Sequence, residues 1–443
     1  MKAIEMIEGQ IDRDAARKAQ ESPSSSPTQT ETPSEPAETT KPWRAVTEDD
    51  VSQAIAGTLL GRMSDLLAEV TEPKLPLPIT LPKALALCGC ALSQARELNP
   101  VESATAPWGI SRARFRINTA GGQACNIWSL IVAPSGTGKD IGNMPDAIVR
   151  AHQLCAGSSG SAEGLADVLK ERGAGMLTIG EFGPFLDKTS WQSKAAFFLT
   201  DAWSRGWFQV NLSQRSSDIR RESAFCYPSI IANIQPHTLR MFYNEIQLGS
   251  GFLARFLLSY CGNMTLLRPR PGGLAGMEAA QQIFNRFLKV SGHVEPPSNY
   301  LGDVVDEFNK HGARYPHIFG RLVNEYGPRF AVMLAVDGGD EVPVLTDDIW
   351  RRAGVLVRWF FAQAERLFDD LSGTEYERRR EARLESFLDF IRRKGTCTLT
   401  QIAHQYSKNT NKEERKEILD ELLDRGRIRV FSEDGKQIIR ASC

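Results

Sequence analysis

The run Ala133-Pro134-Ser135-Gly136-Thr137-Gly138-Lys139-Asp140 contains residue types suited to gripping a polyphosphate. Glycines at 136 and 138 permit a tight turn whose backbone N–H groups cradle phosphate oxygens. Lys139 adds a charge for the β- and γ-phosphates, and a following helix would add its N-terminal dipole. The string departs from GxxxxGK[ST] at both ends. Ala133 replaces the first glycine, and Asp140 replaces the hydroxyl that would bind Mg2+. Because Mg2+ prefers oxygen ligands, the Asp140 carboxylate is a candidate ligand in that hydroxyl's place. The expected ligands are therefore ATP and Mg2+, held by Pro134, Ser135, Gly136, Thr137, Gly138, Lys139 and Asp140. An ordinary glycine-rich turn between strand and helix is the alternative.

Three more residues would complete a hydrolytic set. The apolar run 176–179 leads through Gly180 to Glu181, placed to orient and deprotonate an attacking water. Gly180 stands where an Asp would help to hold the metal. A second apolar run, 229–232, leads to Asn233, a candidate sensor of the γ-phosphate, with Gln235 close behind. Arg255 follows the Gly-Ser-Gly turn at 249–251, where it would reach a neighbouring subunit as an arginine finger. The alternative for Arg255 is an ion pair inside its own protomer.

These residues need a scaffold of parallel strands and helices. Apolar runs at 113–117, 127–133, 175–179, 229–232 and 256–261 read as strands, and 162–172 and 193–204 read as helices between them. The fold class expected is α/β, a P-loop nucleotide-binding core over 106–270. Helical spacing from residue 48 to 67, a proline-rich break at 73–82 and a helix at 83–98 form a helical N-terminal subdomain over 46–105. Helices at 277–290, 321–336 and 347–371, the last capped by Thr346, form a helical lid over 271–372. Residues 1–45 read as a disordered tail, because 21–40 is rich in Ser, Thr, Pro and Glu and lacks Lys and Arg.

Two segments carry residues that suit DNA. Strand-like runs within 207–225 are joined by a polar tip, where Arg215, Arg220 and Arg221 would contact phosphates, although Asp218 and Glu222 dilute the patch. Residues 373–443 show apolar spacing for three helices followed by a hairpin, a winged-helix pattern. Over 375–440 there are 16 Lys and Arg against 13 Asp and Glu. In the third helix Lys412, Arg415 and Lys416 alternate with Glu413 and Glu417, so a protein-contact role competes with DNA binding.

The order of parts resembles a family of phage, prophage and plasmid P-loop ATPases associated with primases. More distantly it is similar to superfamily 3 and MCM-like AAA+ helicases. The residues that carry this are 135–139 (SGTGK), 161–164 (SAEG), 179–183 (IGEFG), 234–236 (IQP) and 249–256 (GSGFLARF), within a span of about 81–371. The resemblance implies that the core over 106–270 is AAA+/RecA-like, and it implies a motor on single-stranded or forked DNA, a hexameric ring, a primase partner, and a hairpin that tracks DNA in the central channel. Two other readings stay open: an ATP-dependent regulatory or defence switch, and a nucleotide-gated DNA-binding protein without turnover.

The whole chain restricts these readings little. It has 443 residues, 42% hydrophobic and 24% charged, with a net charge of −1, so two or three domains are expected and DNA contact must come from local patches. Its apolar runs are too short to cross a bilayer and the start lacks a signal core, so a cytoplasmic location is expected. The eight scattered cysteines read as free buried thiols.

Overall fold

A computed structural model describes residues 46–105, 108–119, 121–140, 144–155, 161–187, 194–210, 221–242, 251–262, 267–270, 276–311, 315–337, 342–372, 375–406, 412–424, 427–433 and 436–441. The expected N-terminal tail and the tip carrying Arg215 and Arg220 lie outside these residues. All described residues fall in one compact unit, Trp43–Cys443.

Four parallel strands form the central sheet: β1 (Trp128–Val132), β2 (Met176–Ile179), β3 (Ser229–Ile234) and β4 (Leu257–Tyr260), in the order β2-β3-β1-β4. Every residue of β1 and β3 is buried, which explains their unbroken apolar runs, since helices must cover both faces of a parallel sheet. The chain leaves β1, forms β2 beyond the place of β3, returns to β3, and then crosses to the other side of β1. This reversal puts a crevice at the carboxyl ends of the strands, where open α/β sheets bind ligands. The expected strand at 113–117 is shorter, Phe115–Ile117, and pairs in parallel with Gly292–Val294 rather than joining this sheet.

The helices named below are α1 (Glu48–Ile55), α2 (Leu59–Ala68), α3 (Leu77–Leu92), α4 (Met144–Ala151), α5 (Ala162–Arg172), α6 (Ala195–Arg205), α7 (Met277–Lys289), α8 (Gly327–Ala335) and α9 (Asp347–Ser372). Thr47 and Asp50 form a capping box on α1, and Gly57, at φ +72°, makes the break before α2. The Ile349 N–H donates to Thr346 Oγ1 at 3.3 Å, as expected for the cap of α9.

Helix α3 starts six residues earlier than its apolar spacing suggests and runs through Pro82. Pro78 lies in its first turn, where a missing N–H costs nothing. Pro82 has no proton for the Pro78 carbonyl, and Ser259 Oγ of β4 donates to that carbonyl instead, at 2.6 Å. Ser129 Oγ of β1 donates to the Pro82 carbonyl at 2.9 Å. At Pro78 the sheet thus supplies the donor that the helix lacks. Gly89 brings α3 onto the chain before β1: a Cβ there would lie 2.6 Å from the Cys125 carbonyl oxygen.

One apolar core joins α1–α3, the sheet and α7–α9, so the segments expected as a subdomain and a lid pack directly with the sheet. Trp128 is fully buried at its centre, edge-on to Trp203 at 4.9 Å, and its indole N–H donates to the Pro228 carbonyl at 2.9 Å. Arg329 of α8 is buried, stacks over Trp203 at 4.2 Å, and donates to the Asn126 carbonyl at 2.8 Å. The seven described cysteines are free, and all but Cys155 are buried. Among the described residues no helix is long and apolar enough to cross a membrane.

The C-terminal part has its own apolar core, built from Leu384, Phe387, Leu388, Ile391, Ile402, Leu419 and neighbours. Helices Glu375–Lys394, Leu399–Tyr406 and Lys412–Asp424 precede a hairpin of Ile428–Glu433 and Lys436–Ala441. A short strand, Cys397–Thr398, adds a third strand to this antiparallel sheet.

Candidate functional site

A cleft of about 250 Å3 opens at the carboxyl edge of the sheet, lined by Lys83, Lys139, Asp140, Pro145, Asp146, Thr178, Gly180, Ile231 and Asn233. It draws on α3, the loop after β1, α4, β2 and β3, which is why no single stretch of sequence displays it.

The loop leaves β1 at Ala133, whose N–H donates to the Ile234 carbonyl at 3.1 Å. Gly136 and Gly138 adopt φ of +83° and +80°, conformations open to glycine and costly for other residues. Thr137 is buried and closes the loop by donating to the Pro134 carbonyl at 2.8 Å, while Ser135 and Gly136 stay exposed. The next described helix, α4, covers Met144–Ala151 and carries Pro145 and Asp146 into the cleft wall.

Lys139 is 5% exposed, and its Nζ donates to Asp140 Oδ2 at 3.0 Å. The amide nitrogen of Asn233, a buried residue, donates to Asp140 Oδ1 at 3.1 Å. One carboxylate thus bridges the two groups expected to hold the γ-phosphate. An ionised carboxylate only accepts, so it fixes the orientation of the Asn233 amide and leaves Asn233 Oδ1 buried without a partner. That unsatisfied oxygen, the cationic Lys139 and the turned glycine loop fit a polar ligand carrying both donors and acceptors.

Three lining residues are not apparent from local patterns. Lys83 is 6% exposed, and its Nζ donates to the Lys139 carbonyl at 2.6 Å. Burial pulls its pKa down to about 8, against the opposing pull of Asp140 and Asp146, while Lys139 lowers it further. Thr178 of β2 donates to Asp146 Oδ1 of α4 at 2.6 Å. Lys83 reads as an unremarked helix lysine, and only its place on a helix made of buried residues hints at more.

The other expected residues take different positions. Gly180 lines the cleft, but Glu181 does not: it is exposed, and its Oε1 accepts weakly from the Gly183 N–H at 3.4 Å. Arg255 does not extend from the surface. It sits on a short turn, Leu253–Arg255, with its guanidinium folded back to the Gly251 carbonyl at 2.5 Å and Ser204 Oγ at 3.1 Å. Burial, followed by repulsion from Arg321, lowers its pKa. Arg221 pairs with Asp167 of α5 at 2.8 Å and is 11% exposed, so this hairpin residue is committed to packing. The strands of that hairpin, Phe208–Val210 and Arg221–Ser223, form as expected. In the third C-terminal helix Arg415 is half-buried and Lys416 exposed, and Lys412 opens the helix.

Among the described residues no group of three or more His, Cys, Asp or Glu is arranged to enclose a metal ion. Mg2+ at phosphate sites needs only one or two carboxylates together with the substrate's oxygens, and Asp140 and Asp146 supply that number. Comparison with protein-family models finds no match, and no curated protein matches the sequence.

Proposed function

We propose that this chain is an ATP-binding P-loop protein with an AAA+-type core, and that its nucleotide state controls action on DNA. The observation that carries this is the meeting of Lys139, Asp140 and Asn233 in one cleft at the carboxyl edge of a parallel sheet. Lys139 would bind the β- and γ-phosphates, the loop amides would cradle them, and Asn233 would read the terminal phosphate. Asp140 and Asp146 would hold Mg2+, which neutralises the phosphate charge and orients the leaving group.

For the phosphate to reach Lys139 and Asn233, the Asp140 carboxylate must let go of both. Asp140 is exposed, so it can swing out toward a metal without disturbing the core. Glu181 follows Gly180 directly and reaches a water near the terminal phosphate only by leaving the Gly183 N–H. The C-terminal helices and hairpin support a winged-helix module, and DNA contact there falls to Arg415, Lys416 and Lys412. The motor reading, a hexameric helicase or initiator serving a phage or mobile element beside a primase, rests on the resemblance of motifs. Arg255 and Arg221 are both held inside the protomer, so they lend it no support in this state.

A second reading is favoured by Glu181 lying outside the cleft and by the absence of a ligand at Gly180: a nucleotide-gated DNA-binding protein without turnover. Phosphate release, measured with and without single-stranded DNA and alongside native mass, separates the two. The motor predicts DNA-stimulated release from an oligomer; the gate predicts ATP binding with no release.

A further inference from the structure

Lys83 lies 56 residues before Lys139 and outside the phosphate-binding loop, yet α3 delivers it to the same cleft. Its placement is rigid. The Pro78 carbonyl, left open by Pro82, accepts from Ser259 of β4, and the Pro82 carbonyl accepts from Ser129 of β1, so the helix is pinned to the loop strand and to the strand beside it. The next residue, Lys83, bonds to the Lys139 carbonyl at 2.6 Å.

A buried ammonium is costly unless charge and hydrogen bonds compensate it. One carbonyl takes one of its three protons. The charged groups that act on it are Asp140 of the loop, Asp146 of α4 and Lys139. Without Lys83 the cleft lining would hold two acids against one base and would repel a polyanion; with it the charges balance.

We propose that Lys83 is a second phosphate-binding cation of this cleft, acting beside Lys139 on the polyphosphate of a bound nucleoside triphosphate. The proposal rests on the nucleotide-binding reading above. Once Asp140 turns away, Lys139 and Lys83 face the ligand together, one from the loop and one from the helix. Lys83 also ties the loop's last carbonyl, so its charge and its tie must be tested apart.

Titration calorimetry of the full chain with ATP and with inorganic tripolyphosphate, both in Mg2+, separates them. Lys83→Met removes charge and tie, Lys83→Gln keeps an N–H for the carbonyl without the charge, and Lys83→Arg keeps the charge. We expect Lys83→Met and Lys83→Gln each to bind both ligands about tenfold or more weakly than wild type, the loss of one charge-assisted hydrogen bond. Lys83→Arg should bind more tightly than Lys83→Gln. Binding of both ligands by Lys83→Gln within about twofold of wild type, or a tighter Lys83→Gln than Lys83→Arg, overturns the proposal and leaves Lys83 as a tie. A parallel titration of Lys139→Met distinguishes the two failures. If it too binds like wild type, or wild type binds neither ligand, the nucleotide site itself is wrong.

Discussion

At the residue scale, Asp140 sits between Lys139 and Asn233, where a phosphate oxygen would lie. In the proposed ATP complex its carboxylate would compete with the ligand in the absence of metal and would assist it in the presence of metal. Asp140→Asn should therefore tighten metal-free ATP binding and weaken Mg2+-dependent binding, each by roughly tenfold, because a desolvated like-charge contact is removed in one case and a metal ligand in the other. Titrations in EDTA and in Mg2+ check this, and equal wild-type affinity in both would remove the basis of the argument. At Gly180 an added Cβ meets nothing within 4 Å, so Gly180→Asp fits and places a carboxylate at the cleft wall. That variant should bind Mg2+ATP more tightly than wild type, an effect that vanishes in EDTA. Lys83 supplies a stability test. Its pKa is about 8 when folded and 10.5 when free, so between these pH values the unfolded chain binds more protons and Lys83 becomes less destabilising as pH rises. Relative to Lys83→Met, wild type should gain up to about 3 kcal/mol across that window, at roughly 1.4 kcal/mol per pH unit, read from urea unfolding at pH 7.5 and 10.5. A constant difference would show that Lys83 is not desolvated.

At the element scale, the exchange between α3 and the sheet fixes the cleft. Ser259→Ala leaves the buried Pro78 carbonyl without its donor and should cost about 1–3 kcal/mol in urea unfolding, far more than the loss of an exposed hydroxyl. A cost near zero would mean that Pro82 is accommodated some other way. The sheet strands were legible because full burial writes itself as unbroken apolar runs, and α5 because Ser161 caps it and Gly173 follows it. The start of helix α3 is hidden because proline reads as a breaker, and the serine that replaces its missing donor, Ser259, comes from a strand far along the chain. Motif and strand end single out Lys139, Asp140 and Asn233, which the structure brings into one cleft. They do not single out Lys83, Asp146 and Thr178, since only tertiary proximity makes these neighbours: the Thr178–Asp146 bond spans 32 residues. Arg255 and Arg221 show the converse, as local sequence suggested exposure while their partners Ser204 and Asp167 lie on other elements.

At the scale of the whole molecule, the C-terminal helices and hairpin bury a core distinct from the one that builds the cleft. A chain ending after residue 372 should therefore keep wild-type affinity for ATP and lose DNA affinity about tenfold or more, read by fluorescence anisotropy with a labelled single strand. Unchanged DNA binding would move the contact to Arg215 and Arg220. With a net charge of −1, no general attraction draws the protein to DNA, so whichever patch binds should show a steep loss with salt. The central claim is that the cleft beside Lys139 binds ATP, and the most direct test is a calorimetric titration of wild type and Lys139→Ala with ATP in Mg2+. The account predicts saturable one-site binding by wild type, weakened roughly 10- to 100-fold in a Lys139→Ala protein that unfolds at the same temperature, as one charge-assisted contact requires. Equal affinity of the two folded proteins would contradict it.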